Sequence, residues 1–245
     1  MFAPAIDPQH NSAVTDFLAG WRAAWTSVFV LVLVGTFVGV GALAHEYRFS
    51  VWWLLLSNVL IWAAPAQVIL LSALAAGTPP LAAAVAVSLS GVRLLPMVVT
   101  LLALIKRADS RPRDLILPAH FTAVSMWVEA LRLVPTLPRQ QRIGFCNGLG
   151  LGFMLAASAG SLVGYYLAAS LPSLLNAGLL FLTPMSFLVS TARNARMLAD
   201  RLALGLGLLI GPALAYAQVG LDLLWTGIIA GSCAYAAHRL RRAWQ

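Results

Sequence analysis

A chain of 245 residues with 60% hydrophobic and 10% charged positions does not have the make-up of a water-soluble domain, in which about a quarter of residues are charged. The charges are also segregated, with no Asp, Glu, Lys or Arg between Arg48 and Arg93 or between Arg142 and Arg193. The net charge of +8 is carried by short loops beside apolar runs, where Lys and Arg report topology and contact with anionic lipid rather than nucleic acid.

In chain order, the opening MFAPAIDPQHNSAVTDF lacks the basic start and short apolar core of a cleaved signal peptide, so the first span is expected to direct insertion. Apolar windows predict crossings at about 23 to 44, 51 to 73, 80 to 105, 143 to 168, 171 to 192, 202 to 218 and 219 to 238. These runs are continuous Leu, Ala, Val and Gly rather than alternating, which predicts helices and excludes a β-barrel. The segment from Leu115 to Pro135 is amphipathic. Phe121, Val124, Val128 and Leu131 form one stripe and Thr122, Ser125, Glu129 and Arg132 another, so it either lies at the interface or dips in and returns. With seven crossings, 14 of the 16 basic residues share one side. This predicts an N-terminus outside and a C-terminus in the cytoplasm.

The expected fold is therefore an all-α polytopic membrane protein of about seven transmembrane helices, a single membrane domain over 1–245. The stretch from Phe37 is similar to the stretch from Ser161: both have a Gly-rich helix end, a short loop and a proline-interrupted helix, with Gly39 aligned to Gly164 and Pro65 to Pro184. This divides the chain into repeat one at about 20–105, an amphipathic or re-entrant linker at 106–142, repeat two at about 143–218 and a last helix at 219–238. With three crossings before the linker, the copies are expected to run in opposite directions, as the inverted repeats of alternating-access transporters do.

The residues expected to carry chemistry cluster at the interruptions. Pro65 cannot donate a backbone N–H, so the helix is expected to break near Ala64 to Gln67, freeing carbonyls and exposing Gln67, with Trp62 and Asn58 one and two turns earlier. Thr183, Pro184 and Ser186 are the matching set in the second copy. Arg93, an arginine at mid-span that costs about 2.5 to 3.5 kcal/mol to place there, needs a polar cavity or a partner. It either takes a substrate carboxylate through its guanidinium fork or pairs with Glu129 or backbone carbonyls. His120, Thr122 and Glu129 line the bundle if the amphipathic segment re-enters it, and face solvent if it lies at the interface. Cys146 and Cys233, without a CxxC or a nearby His, read as small core residues.

No P-loop and no pairing of a nucleophile with a base occurs, so neither an ATPase nor an enzyme is expected, and no cofactor or metal is implied.

The order of these features resembles the AzlC family, the large subunit of two-component branched-chain amino acid exporters, from about Gly20 to Ala217. LLLSNVLIWAAPAQ is similar to the family's S-x-x-x-F-A-G-x-x-Q pattern at Ser57 to Gln67, SGVRLLPM to its N-x-R-x-x-L segment at Arg93, and GLLFLTPMSFLV to its F-x-x-P-x-F element. Trp62 and Ala63 stand in the Phe-Ala-Gly region, Ser90 near the usual Asn, and HFTAVSMWVEA has no counterpart to the family's Thr-Asp-Glu motif. The resemblance implies export of hydrophobic amino acids across the cytoplasmic (inner) membrane, with a small hydrophobic subunit of the AzlD type as partner.

Overall fold

The computed structural model describes residues 13–107, 109–172, 175, 177–178, 181, 185, 188–189, 192, 195, 197–217 and 222–243. Every regular element among them is helical, and the chain falls into two compact units, Met1–Thr183 and Pro184–Gln245. Four helices among the described residues are long and apolar enough to cross a membrane: Val28–Glu46, Pro80–Ile105, Arg142–Ser170 and Leu198–Tyr216.

The first unit is built on a spine. It contains α1 (Ala13–Thr26), α2 (Val28–Glu46), α3 (Val51–Leu60), α4 (Ala64–Ala75), α5 (Pro80–Gly91), α6 (Leu95–Ile105), α7 (Pro112–His120), α8 (Val124–Leu133) and α9 (Arg142–Ser170). The 29 residues of α9 rise roughly 43 Å at 1.5 Å per residue. Ser27 separates α1 from α2: its backbone is extended and its hydroxyl accepts the Phe29 N–H, which opens α2.

Both helices lie along α9 through glycines. A Cβ on Gly148 would collide with the Phe17 carbonyl, one on Gly20 with the Phe145 carbonyl, one on Gly164 with the Val38 carbonyl and one on Gly41 with Ser161. These backbones touch because the side chains are absent. Along this seam the residue numbers rise together, from Phe17 on Gly148 through Val34 on Gly160 to Val38 on Gly164. So α2 and α9 run parallel. The described first helices of the two similar segments, Phe37–Glu46 and Ser161–Ser170, run the same way.

The helix over 80–105 is one rod of 26 residues. Gly91 (φ −74°, ψ −23°) and Leu95 (φ −55°, ψ −50°) keep helical angles through a 3-10 turn at Val92–Leu94. Its end sits beside the start of α9, where Arg142 Nη1 donates to the Leu104 carbonyl at 2.8 Å. Its beginning is therefore roughly 39 Å away along the rod. The start of α3 is at the C-terminal end of α9, because the Tyr165 hydroxyl donates to the Phe49 carbonyl at 2.8 Å.

With α3 starting there, and Ala75 only a short loop from Pro80, the chain bends sharply at Ile61–Ala63, and α3 and α4 leave the bend as two arms that do not pack side by side. The Ser57 hydroxyl on α3 donates to Gln67 Oε1 on α4 at 3.2 Å. The crossing expected at 51 to 73 is thus a helical hairpin. A second hairpin follows at the opposite end: α7 begins a short loop after Ile105, and α8 leads through a 3-10 turn at Val134–Thr136 back to Arg142, whose Nε donates to the Leu137 carbonyl at 3.0 Å. Its tip, Phe121, lies on Gly150, well along the spine.

The second unit contains α10 (Leu198–Tyr216) and α11 (Asp222–Ala243), packed on each other. The Asp200 carboxylate accepts the Met197 N–H at 3.0 Å and opens α10. Cys146 is buried, as expected of a core residue, but Cys233 is exposed.

Candidate functional site

Three interruptions converge on one cavity of about 230 Å³. The first is Ile61–Ala63 between α3 and α4, the second the 3-10 turn that carries Arg93, and the third Phe121–Ala123 between α7 and α8. The proline signal lies next to the first break rather than in it. Pro65 occupies the first turn of α4, where a missing N–H costs nothing and a fixed φ favours helix. The break expected at 64 to 67 is displaced to the three residues before it.

The two tips satisfy each other's backbone. Trp62 Nε1 donates to the Phe121 carbonyl at 2.7 Å, and His120 Nε2 lies 2.8 Å from the Val59 carbonyl. Since that carbonyl only accepts, Nε2 carries the proton. Each hairpin's loose helix end is closed by an aromatic side chain of the other. The Trp62 ring also stacks on Phe37 of α2, with centroids 6.4 Å apart. Thr122 is buried, and its hydroxyl donates to the Pro118 carbonyl at 2.8 Å.

Of the residues expected to form a site, Trp62, Arg93, His120 and Thr122 line this cavity together. Gln67, expected to face an open interior, is fully buried: Nε2 donates to the Ile61 carbonyl at 3.0 Å while Oε1 accepts from Ser57. It staples the first break shut. Asn58 is buried against the spine, donating to Ser161 Oγ at 2.9 Å with its own Oδ1 unpaired. Glu129 is 2% exposed and is held by Arg132, whose Nε lies 3.2 Å from Oε2, so the pairing with Arg93 considered from sequence does not occur. The solvated face expected at an interface fails for Thr122 and Glu129, both buried. Pro184 and Ser186 lie outside the described residues.

The cavity is bipolar. Ala63 and Ala66, at the start of α4, line it, and α4 has no side-chain cap. That helix end offers partial positive charge and free N–H groups. Arg93 adds a full charge, and no carboxylate pairs with it among the described residues. Leu60 and Ile61 end α3, and Ala119 and His120 end α7. These C-terminal turns bring partial negative charge to the same space. Leu60, Ile61, Val87, Leu94 and Val98 supply an apolar wall.

The participation of Phe121 and Val59 through their carbonyls carries no sequence signal, because every residue has a backbone carbonyl. The polar Ser57, Asn58 and Gln67 inside an otherwise apolar run were the visible trace of the first.

Neither a curated protein nor a solved structure matches the chain. The family model described as AzlC protein matches residues 28–171, a stretch that contains α2, both hairpins, the rod that bears Arg93, and the spine. Its agreement with the apolar helices makes this a multi-pass membrane protein of a transport family, and the chain belongs to the AzlC family.

Proposed function

We propose that the chain is the large subunit of a two-component secondary transporter that exports branched-chain or other hydrophobic amino acids across the cytoplasmic (inner) membrane. It acts with a small hydrophobic AzlD-type subunit and keeps its C-terminus in the cytoplasm. The observation that carries this reading is the bipolar cavity, in which an unpaired Arg93 and an uncapped helix start face helix ends of opposite polarity across an apolar wall.

A zwitterion with an apolar side chain matches that pattern. Its carboxylate goes to Arg93 and the start of α4, its ammonium to the ends of α3 and α7, and its side chain to Leu60, Val87 and Val98. Selection among Val, Leu, Ile and Met is slight, because one methylene is worth about 1 to 3 kcal/mol.

The test is efflux of labelled leucine, valine and methionine from cells that express both subunits. Arg93→Ala removes a charge-assisted contact of about 1.5 to 3 kcal/mol, so efflux is expected to fall roughly 10- to 150-fold with membrane protein levels unchanged. Excess leucine competes, whereas leucinamide and isocaproate, each lacking one charge, do not. Isocaproate competing as well as leucine would move the reading to a small organic anion. No efflux of any of the three amino acids with the partner present would overturn it.

A further inference from the structure

We infer that the hairpins α3–α4 and α7–α8 are re-entrant. Each enters the membrane from one face, stops at mid-depth against the other and leaves by the face it entered, the first from the outer face and the second from the cytoplasmic face. The inference holds whatever solute is carried.

The path of the chain sets the entry points. The outer ends of α3 and α4 lie at the C-terminal end of the spine, by the Tyr165 bond to Phe49 and by the rod that starts at Pro80. Those of α7 and α8 lie at its N-terminal end, by the Arg142 bonds to Leu104 and Leu137. Arms of 9 to 12 residues rise roughly 14 to 18 Å, about half of a 30 Å hydrocarbon layer. One arm from each face fills it.

Two of the arms also turn apolar side chains outward. Helix α3 buries Ser57 and Asn58 beside Leu54 and exposes Trp52, Leu56 and Leu60; α8 buries Glu129 beside Met126 and Ala130 and exposes Val124, Val128 and Leu131 together with Arg132. Water would favour the reverse, and lipid favours this. At the tips, non-helical backbone is tolerated at membrane depth only inside protein, and the mutual bonds of Trp62 with Phe121 and His120 with Val59 meet that condition.

Sidedness follows from charge. Lys106, Arg107, Arg111, Arg113, Arg139 and Arg142 lie at the face where the second hairpin enters, and between α2 and α3 only Arg48 does so at the other. The basic face is cytoplasmic. The parallel seam with Gly144 and Gly148 puts the start of α1 on that same face, so α1 begins on the cytoplasmic side.

The experiment is thiol labelling of the full chain in a background with Cys146→Ala and Cys233→Ala. A membrane-impermeant maleimide is applied to intact cells and to inside-out vesicles. Tyr47→Cys and Ala76→Cys are expected to react from outside, Asp109→Cys and Arg139→Cys only from the cytoplasmic side. Tyr47→Cys and Ala76→Cys on opposite faces would overturn the first hairpin, and Asp109→Cys and Arg139→Cys on opposite faces the second. Both pairs exchanged would overturn the sidedness. Epitope insertions at 47–50 and 76–79 for the first hairpin, and at 109–111 and 138–140 for the second, give the same readout should a cysteine variant fail to accumulate.

Discussion

The seam of α1 and α2 along α9 and the meeting of the two hairpin tips are both buried, yet they are held by opposite means. The seam is made by removing side chains: Gly20, Gly41, Gly148 and Gly164 let carbonyl meet backbone with no space to spare. The tips are joined by adding side chains, with Trp62 and His120 each reaching a carbonyl of the other hairpin. Close packing of small residues has one arrangement and resists change. Two side-chain hydrogen bonds, each worth about 1 kcal/mol net, can break and re-form. The molecule thus has a frame that is expensive to alter and a junction that is cheap to open, and the cavity lies at the junction.

The sharpest way to break this contrast is Gly164→Leu. Its side chain would have to displace the Val38 backbone, an overpacking that costs about 1 to 3 kcal/mol and occasionally more. The variant is expected to lose most folded protein by size-exclusion profile in detergent. Gly35→Leu, with open space around the glycine, is expected to leave the profile unchanged; equal damage from both would mean that the seam is not special.

Gln67→Leu comes next, since it removes two buried hydrogen bonds, from Gln67 Nε2 to the Ile61 carbonyl and from the Ser57 hydroxyl to Gln67 Oε1, and leaves those groups only their local partners, the Ala63 N–H and the Leu54 carbonyl. A loss of about 1 to 3 kcal/mol is expected as a lowered melting temperature. Trp62→Phe keeps the stack on Phe37 but drops the bond to Phe121. Here about 1 kcal/mol is expected, with little change in melting but faster hydrogen exchange at 121–123. A melting loss for Trp62→Phe as large as for Gly164→Leu would erase the distinction between frame and junction.

How far this was legible varies by residue. The absence of charge from Arg48 to Arg93 and from Arg142 to Arg193 is enough to place the chain in a membrane, because lipid excludes charge wherever it sits in the fold. Pro65 marked a break but not its position, since proline starts a helix as readily as it ends one. Whether 51–73 crosses or returns is set by the three residues Ile61–Ala63, and a hairpin and a span of that length have the same composition. Glu129 shows the converse. Its partner Arg132 is visible at i,i+3 spacing, but that Glu129 is buried while Arg132 stays exposed depends on how α8 is turned against its neighbours. Arg93, Trp62, His120 and Thr122 could each be singled out by type. That they face one space comes from the convergence of three interruptions, which local sequence does not encode.

The rod over Pro80–Ile105 is tied at one end to α4 by the loop 76–79 and at the other to α7 by the loop 106–111. Loops of four and six residues reach at most roughly 14 and 22 Å, which ties each hairpin to its own end of the rod. The rod therefore bears a hairpin at each end and Arg93 near its middle, so a single helix carries the charge of the cavity and anchors both of the tips that Trp62 and His120 join.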